Sequence, residues 1–518
     1  MNADLRIVPL AVAAAVSVTP AAQAQDALVA AIADAYRSNP TLDAQRAELR
    51  SLDETIVQAG APYRPTVGLN MDLQYRSADQ RNVLDDLVTN RSRTMAATLS
   101  AQQILLNGGR TAAQVSIAEA RVLAARERLR LVENAILLEV VDSYVAVRRD
   151  SDLVAIQGRS LDSYDRQVAQ AIARERGGDL TRTDIAQARA QAEIIRAQLA
   201  QSQANLQVSR ARFATVVGRM PGTLGEPPVL NGVPPSLDAA FAIAQRESPA
   251  IGEALLSARA GDARIAAERA ERAPVVALSG GYGYRTANSF QTRDLGAQAS
   301  GGVTLTMPLI AGGVIGSRIR AAQADRERLG FEVESARRQA LAQTQDAWNQ
   351  SLAATSAAAA GRIATQSAQE ALTGVQRGFA EGFRSNFEVL DSEQRLLNAQ
   401  LVLTNATYSA YAAQARLLAT LGRLQAALLA QGVPAYDPAV PARAAKAAVI
   451  GPIDPVMAAI DRAQLPSSSF TPQPPLSVAV DPVLRPATTP PPQGSLGDKL
   501  PLLPNPVIAD LNDTMVTG

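Results

Sequence analysis

Between Pro65 and Tyr75 the chain alternates strictly. Val67, Leu69, Met71, Leu73 and Tyr75 are apolar, while Thr66, Gly68, Asn70, Asp72 and Gln74 between them are small or polar. A period of two predicts an extended strand with one apolar and one wet face. Three more segments alternate in the same way. TMAATLSAQQIL sets Met95, Ala97, Leu99 and Ala101 opposite Ala96, Thr98, Ser100 and Gln102. VVALSGGYGY sets Val276, Leu278, Tyr282 and Tyr284 on one side, and QASGGVTLTM opposes Val303, Leu305 and Met307 to Gln298, Ser300, Thr304 and Thr306. Strands are therefore expected at about 65–75, 94–105, 275–284 and 297–307, each near the 9–11 residues that cross a bilayer at a tilt. A half-buried hairpin of a soluble sheet alternates identically, so the strands alone leave both readings open.

Almost everything else has the Ala, Gln, Arg, Glu and Leu content of long helices. From Gly109 to Gly178, Val115, Val122, Leu129 and Ile136 recur every seven residues. The series restarts after four at Val140 and continues through Val147, Val154, Leu161 and Val168. A heptad seam with one stutter predicts a long helix with coiled-coil packing, roughly 100 Å for about 70 residues. A helix of matching length is expected from Gly313 to Gly382. Shorter return helices then run to Gly218 and Gly422, and opening helices cover about 26–60 and 236–271.

These elements form a duplication. Asn39-Pro40 recurs as Ser248-Pro249, Pro65 as Pro274, LLNGG as LIAGG, Gly178 as Gly382, and Gly218-Arg219 as Gly422-Arg423. The register changes once, in the polar segments RSADQRNVLDDLVTNRSR and RTANSFQTRDLG, read as surface loops. The expected fold is mainly α with a small β part, a helix-strand-strand-helix unit repeated over 25–235 and 236–432. A return helix and an opener laid end to end match one long helix. The first repeat's return helix is expected to meet the second repeat's opener, and the reverse. Four strands cannot close a barrel, and open edges are forbidden in lipid. Three copies would supply twelve strands around an aqueous lumen, continued by a helical tube.

Composition removes most chemistry. Cysteine and histidine are absent and the net charge is +1, which excludes thiolate sites, histidine-ligated metals and the usual triads. Lys446 and Lys499 are the only lysines and neither lies in a phosphate-binding loop. No enzyme activity, cofactor or metal is expected. VPLAVAAAVSV after Arg6, followed by Ala22-Gln23-Ala24, predicts a signal peptide over 1–24 and export. From 433 to 518 proline, alanine, serine and threonine dominate, the composition of a disordered tail.

On the duplicated Asn-Pro/Ser-Pro, LLNGGR and LIAGGV, GDLTRTDIAQA at 178–188 and GFRSNFEVLDSEQ at 382–394, the chain resembles the TolC family of outer-membrane efflux and secretion proteins over about 25–430. The resemblance implies a trimer in the outer membrane that extends into the periplasm. It also implies a gate where an arginine and two acidic residues follow the tip glycine, here Arg384, Glu388 and Asp391. Thr183 and Asp184 match the family's partner positions, whereas Phe379 stands where a tyrosine is usual, so a hydroxyl-to-carboxylate latch is missing. The implied partners are a periplasmic adaptor and an inner-membrane transporter. The competing expectation is a periplasmic coiled-coil scaffold or adaptor without a pore.

Overall fold

The computed structural model describes residues 28–81, 85–425, 436–447, 451 and 454–465. The expected signal peptide and the tail beyond 465 lie outside the described residues. In chain order, α1 (Leu28–Ser38) and α2 (Pro40–Ala59) lead into β1 (Thr66–Arg81) and β2 (Leu87–Leu106). The long α3 (Arg110–Arg176) and α4 (Arg182–Val217) complete the first repeat. The second runs α5 (Leu237–Glu247), α6 (Pro249–Ala270), β3 (Val275–Arg285), β4 (Gly296–Thr306), α7 (Val314–Ala380) and α8 (Asn386–Thr420). Two short helices follow, α9 (Ala439–Ala447) and α10 (Asp454–Arg462). The chain is thus mainly helical with a small antiparallel sheet, as the two hydrophobic periods predict.

The heptad seam faces inward. Val122, Leu129, Ile136, Val140 and Val147 are all buried, packed with Leu42, Leu49, Phe213 and Val216 of the neighbouring helices. α2 and α4 pack along α3, as do α6 and α8, while α7 packs against α6 and α8. α3 is therefore an interior member of the helical layer and α7 an edge. The edge helix leaves Val314, Phe331, Leu352 and Ile363 exposed, and α4 does the same with Ile194 and Val208.

The end-to-end stacking occurs, but within each repeat rather than between repeats as the sequence reading expected. α4 ends against α1 and α2: Asn39 Oδ1 accepts from the amides of Thr41 (3.0 Å) and Leu42 (3.3 Å), while its Nδ2 donates to the Val216 carbonyl (3.2 Å). One side chain closes both helix ends, and Arg219 pairs with Asp34 at 2.7 Å beside it. α8 likewise ends on α5 and α6. Arg423 donates through Nε and Nη2 to the two carboxylate oxygens of Glu247 at 2.7 and 2.9 Å. Arg423 and Arg246 together hold the Glu247 carboxyl at about 2, well below its ordinary value. Gly422 adopts φ +73°, and a Cβ there would lie 2.8 Å from Pro249 Cδ and 2.9 Å from the Glu247 carbonyl. The reason lies in the side chains at the junctions: Asn39 joins the amide end of α2 to the carbonyl end of α4, Arg423 joins the end of α8 to Glu247 at the end of α5, and the stacked helix dipoles run head to tail.

The four strands form one antiparallel sheet in the order β1-β2-β3-β4. Rows such as Leu69–Leu99–Tyr282–Ala299 lie on one face, and rows such as Gly68–Ser100–Gly281–Ser300 on the other. Met71, Leu73, Val303 and Leu305 on the apolar face are exposed, Met71 at 74%. The first hairpin is longer than expected. Much of the segment read as a polar loop is paired strand, from Tyr75↔Arg93 out to Arg81↔Leu87. Thr89 bonding Asp79 at 2.7 Å and Arg93 stacking on Tyr75 show how polar strands hold there without an apolar face. Among the described residues no helix is long and apolar enough to cross a membrane.

The tail also departs from expectation in part. α9 packs on α2 and α10 on the start of α3, so the described stretches 436–447 and 454–465 are folded despite their composition. Asp461 supplies the energy that composition does not reveal. Its carboxylate accepts from the amides of Gly109 (3.0 Å) and Ala112 (2.7 Å) and from the Tyr63 hydroxyl (3.1 Å). Asp454 pairs with Arg64 at 2.8 Å. A carboxylate on the open amide end of a helix of this length is favoured by both hydrogen bonding and the dipole.

Candidate functional site at the helix tips

The two long hairpins turn at Gly178 and Gly382, whose φ values of +85° and +84° suit glycine. Each return helix then begins with a capping box. At the first tip Thr181 Oγ accepts from the Asp184 amide at 3.3 Å, and the Thr181 amide donates to Asp184 Oδ2 at 2.9 Å. At the second, Ser385 Oγ accepts from the Glu388 amide at 3.3 Å, and the Ser385 amide donates to Glu388 Oε2 at 3.1 Å. Asp184 and Glu388 occupy the same place in the duplication. Their carboxylates order the first turn of α4 and α8. Bonds from the Thr181 hydroxyl and amide hold the Asp184 carboxyl below its usual range.

Of the residues expected in a gate, Arg384 and Glu388 are joined: Arg384 Nη1 donates to Glu388 Oε1 at 3.2 Å. Asp391 pairs instead with Arg395, one turn on, at 2.9 Å, so the three do not form a closed triad. Thr183 is exposed, and among the described residues neither Thr183 nor Asp184 bonds to Arg384, Glu388 or Asp391. At the position where the hydroxyl latch is missing, the Arg174 guanidinium lies 4.4 Å from the Phe379 ring centroid. A cation–π contact therefore links the end of α3 to the end of α7.

Above the turns, α8 is bolted to the first hairpin. Ser163 Oγ donates to Glu393 Oε1 at 3.0 Å, Tyr164 OH donates to the Leu390 carbonyl at 3.2 Å, and Gln191 donates to Gln394. Ile156, Tyr164, Ala192, Ile195, Leu390 and Leu397 pack together around these bonds. Beside them lies a cavity of about 660 Å³ lined by Arg166, Gln167, Arg174, Phe379, Asn386 and Glu393, among others. Glu393 Oε2, Gln167 Oε1 and Asn386 Nδ2 are buried there with no hydrogen-bond partner among the described residues.

Burial pushes the Glu393 carboxyl above its ordinary value of 4.5, partly offset by the Ser163 bond. A raised carboxyl favours the folded contact when protonated. The stabilisation is complete below the ordinary value and is lost as pH rises through the raised one. Glu393→Gln keeps an acceptor for Ser163 and removes the charge. Thermal unfolding at neutral pH is expected to shift upward in this variant, with the difference from the parent vanishing below about pH 4.5. A constant difference across pH would show that Glu393 does not titrate in this contact.

The capping boxes were legible as Thr181-x-x-Asp184 and Ser385-x-x-Glu388, and the Asp391–Arg395 spacing is i,i+4; the sequence reading missed both. Nothing local marks Ser163, Tyr164, Gln191 or Arg174, which meet α7 and α8 only through the tertiary fold.

The fold and its comparisons define the class. The chain matches a family model described as outer membrane efflux protein over residues 31–219 and 242–423. It is 28% identical over 420 residues to the outer membrane efflux protein BepC of Brucella suis biovar 1 (strain 1330), covering 81% of this chain and 90% of that one. It is 23% identical over 401 residues to the outer membrane protein TolC of Escherichia coli (strain K12), covering 75% and 80%. The solved structure of the outer membrane protein VceC from Vibrio cholerae superposes with a TM-score of 0.65 at 22% identity, covering 76% of this chain and 96% of that one. This is an outer-membrane channel protein and not an enzyme. The chain belongs to the outer membrane efflux protein family.

Proposed function

We propose that three copies close into a twelve-stranded barrel in the outer membrane, continued in the periplasm by a tube of helices, and that this duct is shut at the helix tips. The observation that carries the reading is the pair of unsatisfied edges. Among the described residues of the protomer β1 pairs only with β2 and β4 only with β3, while apolar-face residues of every strand, Leu69, Leu99, Tyr282 and Val303 among them, are exposed. In lipid each unpaired backbone group costs several kcal/mol, so β4 must find the β1 of another copy. The small, polar opposite face, with Ser100, Thr98, Ser279 and Ser300, suits a hydrated lumen.

At the tips, Arg384, Glu388, Asp391, Thr183 and Asp184 act in this reading as the gate. Three copies place rings of carboxylates around the axis, which favour cations and are neutralised in part by Arg384 and Arg395. Thr183 and Asp184, unbonded to the second tip in the protomer, are available to a neighbouring copy. Phe383 and Phe387, exposed at 82% and 61% beside the second turn, offer apolar purchase for a periplasmic adaptor coupled to an inner-membrane transporter. The duct breaks no bonds, so energy for opening comes from that transporter. The test is direct. Detergent-purified protein is expected to have the mass of a trimer by light scattering and to give discrete conductance steps in planar bilayers. A detergent-independent monomer with no conductance would overturn the reading.

A further inference from the structure

Among the described residues the short helix α10 is fastened on one side and bare on the other. Its inner side is fastened by Asp454 to Arg64 and by Asp461 to the start of α3, and Leu465, just beyond its end, packs with Ala113, Ile117 and Ala267. The outer side carries Val456, Ala459, Ile460 and Ala463, all exposed and spaced as a helical stripe. A surface helix ordinarily turns polar residues to water there.

A second bare apolar feature lies at the other edge of the sheet. Directly after β4, Leu309 and Ile310 are 86% and 94% exposed. Their counterparts in the duplication, Leu105 and Leu106, are partly covered, and α10 packs over that first turn. Among the described residues the second turn has no such cover: a Cβ on Gly312 or Gly313 would meet nothing within 4 Å.

We infer that Leu309 and Ile310 of one copy seat on the Val456–Ile460 stripe of α10 in the next copy, so that the C-terminal helix seals the ring just inside the barrel. The inference rests on the closure of β4 on a neighbour's β1 proposed above. Arg64, to which α10 is tied, lies just before β1. The strand ends are staggered. Thr66 shares a row with Gln102, Ser279 and Gly302, yet β2 runs on to Leu106 and β4 to Thr306. With the same stagger carried across the closing seam, the neighbour's Thr66 comes beside the end of β4. Its Arg64 and α10 then lie beside Leu309 and Ile310. The outer face of one helix thus does for the second repeat what its inner face does for the first.

The chain has no cysteine, so Ile310→Cys with Ile460→Cys is an unambiguous probe. Oxidation of the purified double variant is expected to give covalently linked trimers on denaturing gels, with each single variant remaining monomeric. In the assembled protein Ile460→Cys alone is expected to lose its reactivity toward a water-soluble maleimide, while Val229→Cys, in an exposed loop, stays reactive. If light scattering reports trimers but the double variant does not link and Ile460→Cys labels freely, the seal is wrong and closure stands. If Ile460→Cys is protected without linking to Ile310→Cys, another occupant, lipid or detergent, covers the stripe and the inference is again overturned. If no trimer forms, closure fails and the seal with it.

Discussion

Replacing Glu388 by Gln together with Asp391 by Asn is expected to raise the resting conductance of the proposed trimer and move its selectivity from cations toward neutrality, with almost no loss of stability. The geometry dictates the choice of substitutions. Glu388 both pairs with Arg384 and completes the capping box of α8, so a change to Ser would mix loss of charge with fraying of the helix, worth about 1 kcal/mol. Gln retains the cap and loses only the charge. The Arg384–Glu388 and Asp391–Arg395 pairs are surface i,i+4 pairs, and such pairs contribute about 0.3–0.5 kcal/mol each. A large change in conductance beside an unmoved melting transition would therefore locate the effect in the pore. Folded trimers with parental conductance and selectivity would remove these residues from the gate and leave the architecture untouched.

Asp461→Ala is expected to detach the C-terminal strap. The side chain is 4% exposed and serves three donors. Its removal leaves the amides of Gly109 and Ala112 unpaired inside the fold. Hydrogen bonds to a charged group are worth about 1.5–3 kcal/mol, and the loss here should fall at the upper end of that range or beyond. Burial, aided by the Asp461 carboxylate, also pushes the Tyr63 hydroxyl above its ordinary value, so its titration should fall in the variant. Trypsin is expected to cut at Arg443 and Arg462 much sooner than in the parent, as read by intact mass. Asp461→Asn, which keeps the shape and one acceptor, should lie between the two. Unchanged digestion would mean that the strap is held by Asp454–Arg64 and packing alone.

Much of the proposed gate's local geometry was available from spacing. Arg384 to Glu388 and Asp391 to Arg395 are both i,i+4, and both return helices open with a cap residue three before a carboxylate. What spacing could not supply is the setting. Glu393 is one more acidic residue in GFRSNFEVLDSEQ until α3 buries it beside Ser163 and Arg166. Phe379 was legible as the absence of a hydroxyl, but its contact with Arg174 required two tips far apart in sequence to be brought together.

The sequence by itself determined the elements and their duplication, because helical and strand periods are local and a repeat carries its anchors with it. It also determined the two-faced sheet, since alternation sets the face of every side chain once the strands pair. The tertiary structure alone decided which helix ends stack. That choice rests on single contacts, Asn39 to the Val216 carbonyl and Arg423 to Glu247, between residues whose types fit either arrangement. It alone revealed that two stretches of the proline-rich tail, 436–447 and 454–465, are folded. The stabilising groups there are orphan amides at the start of α3, and composition carries no record of where a distant carboxylate will find them.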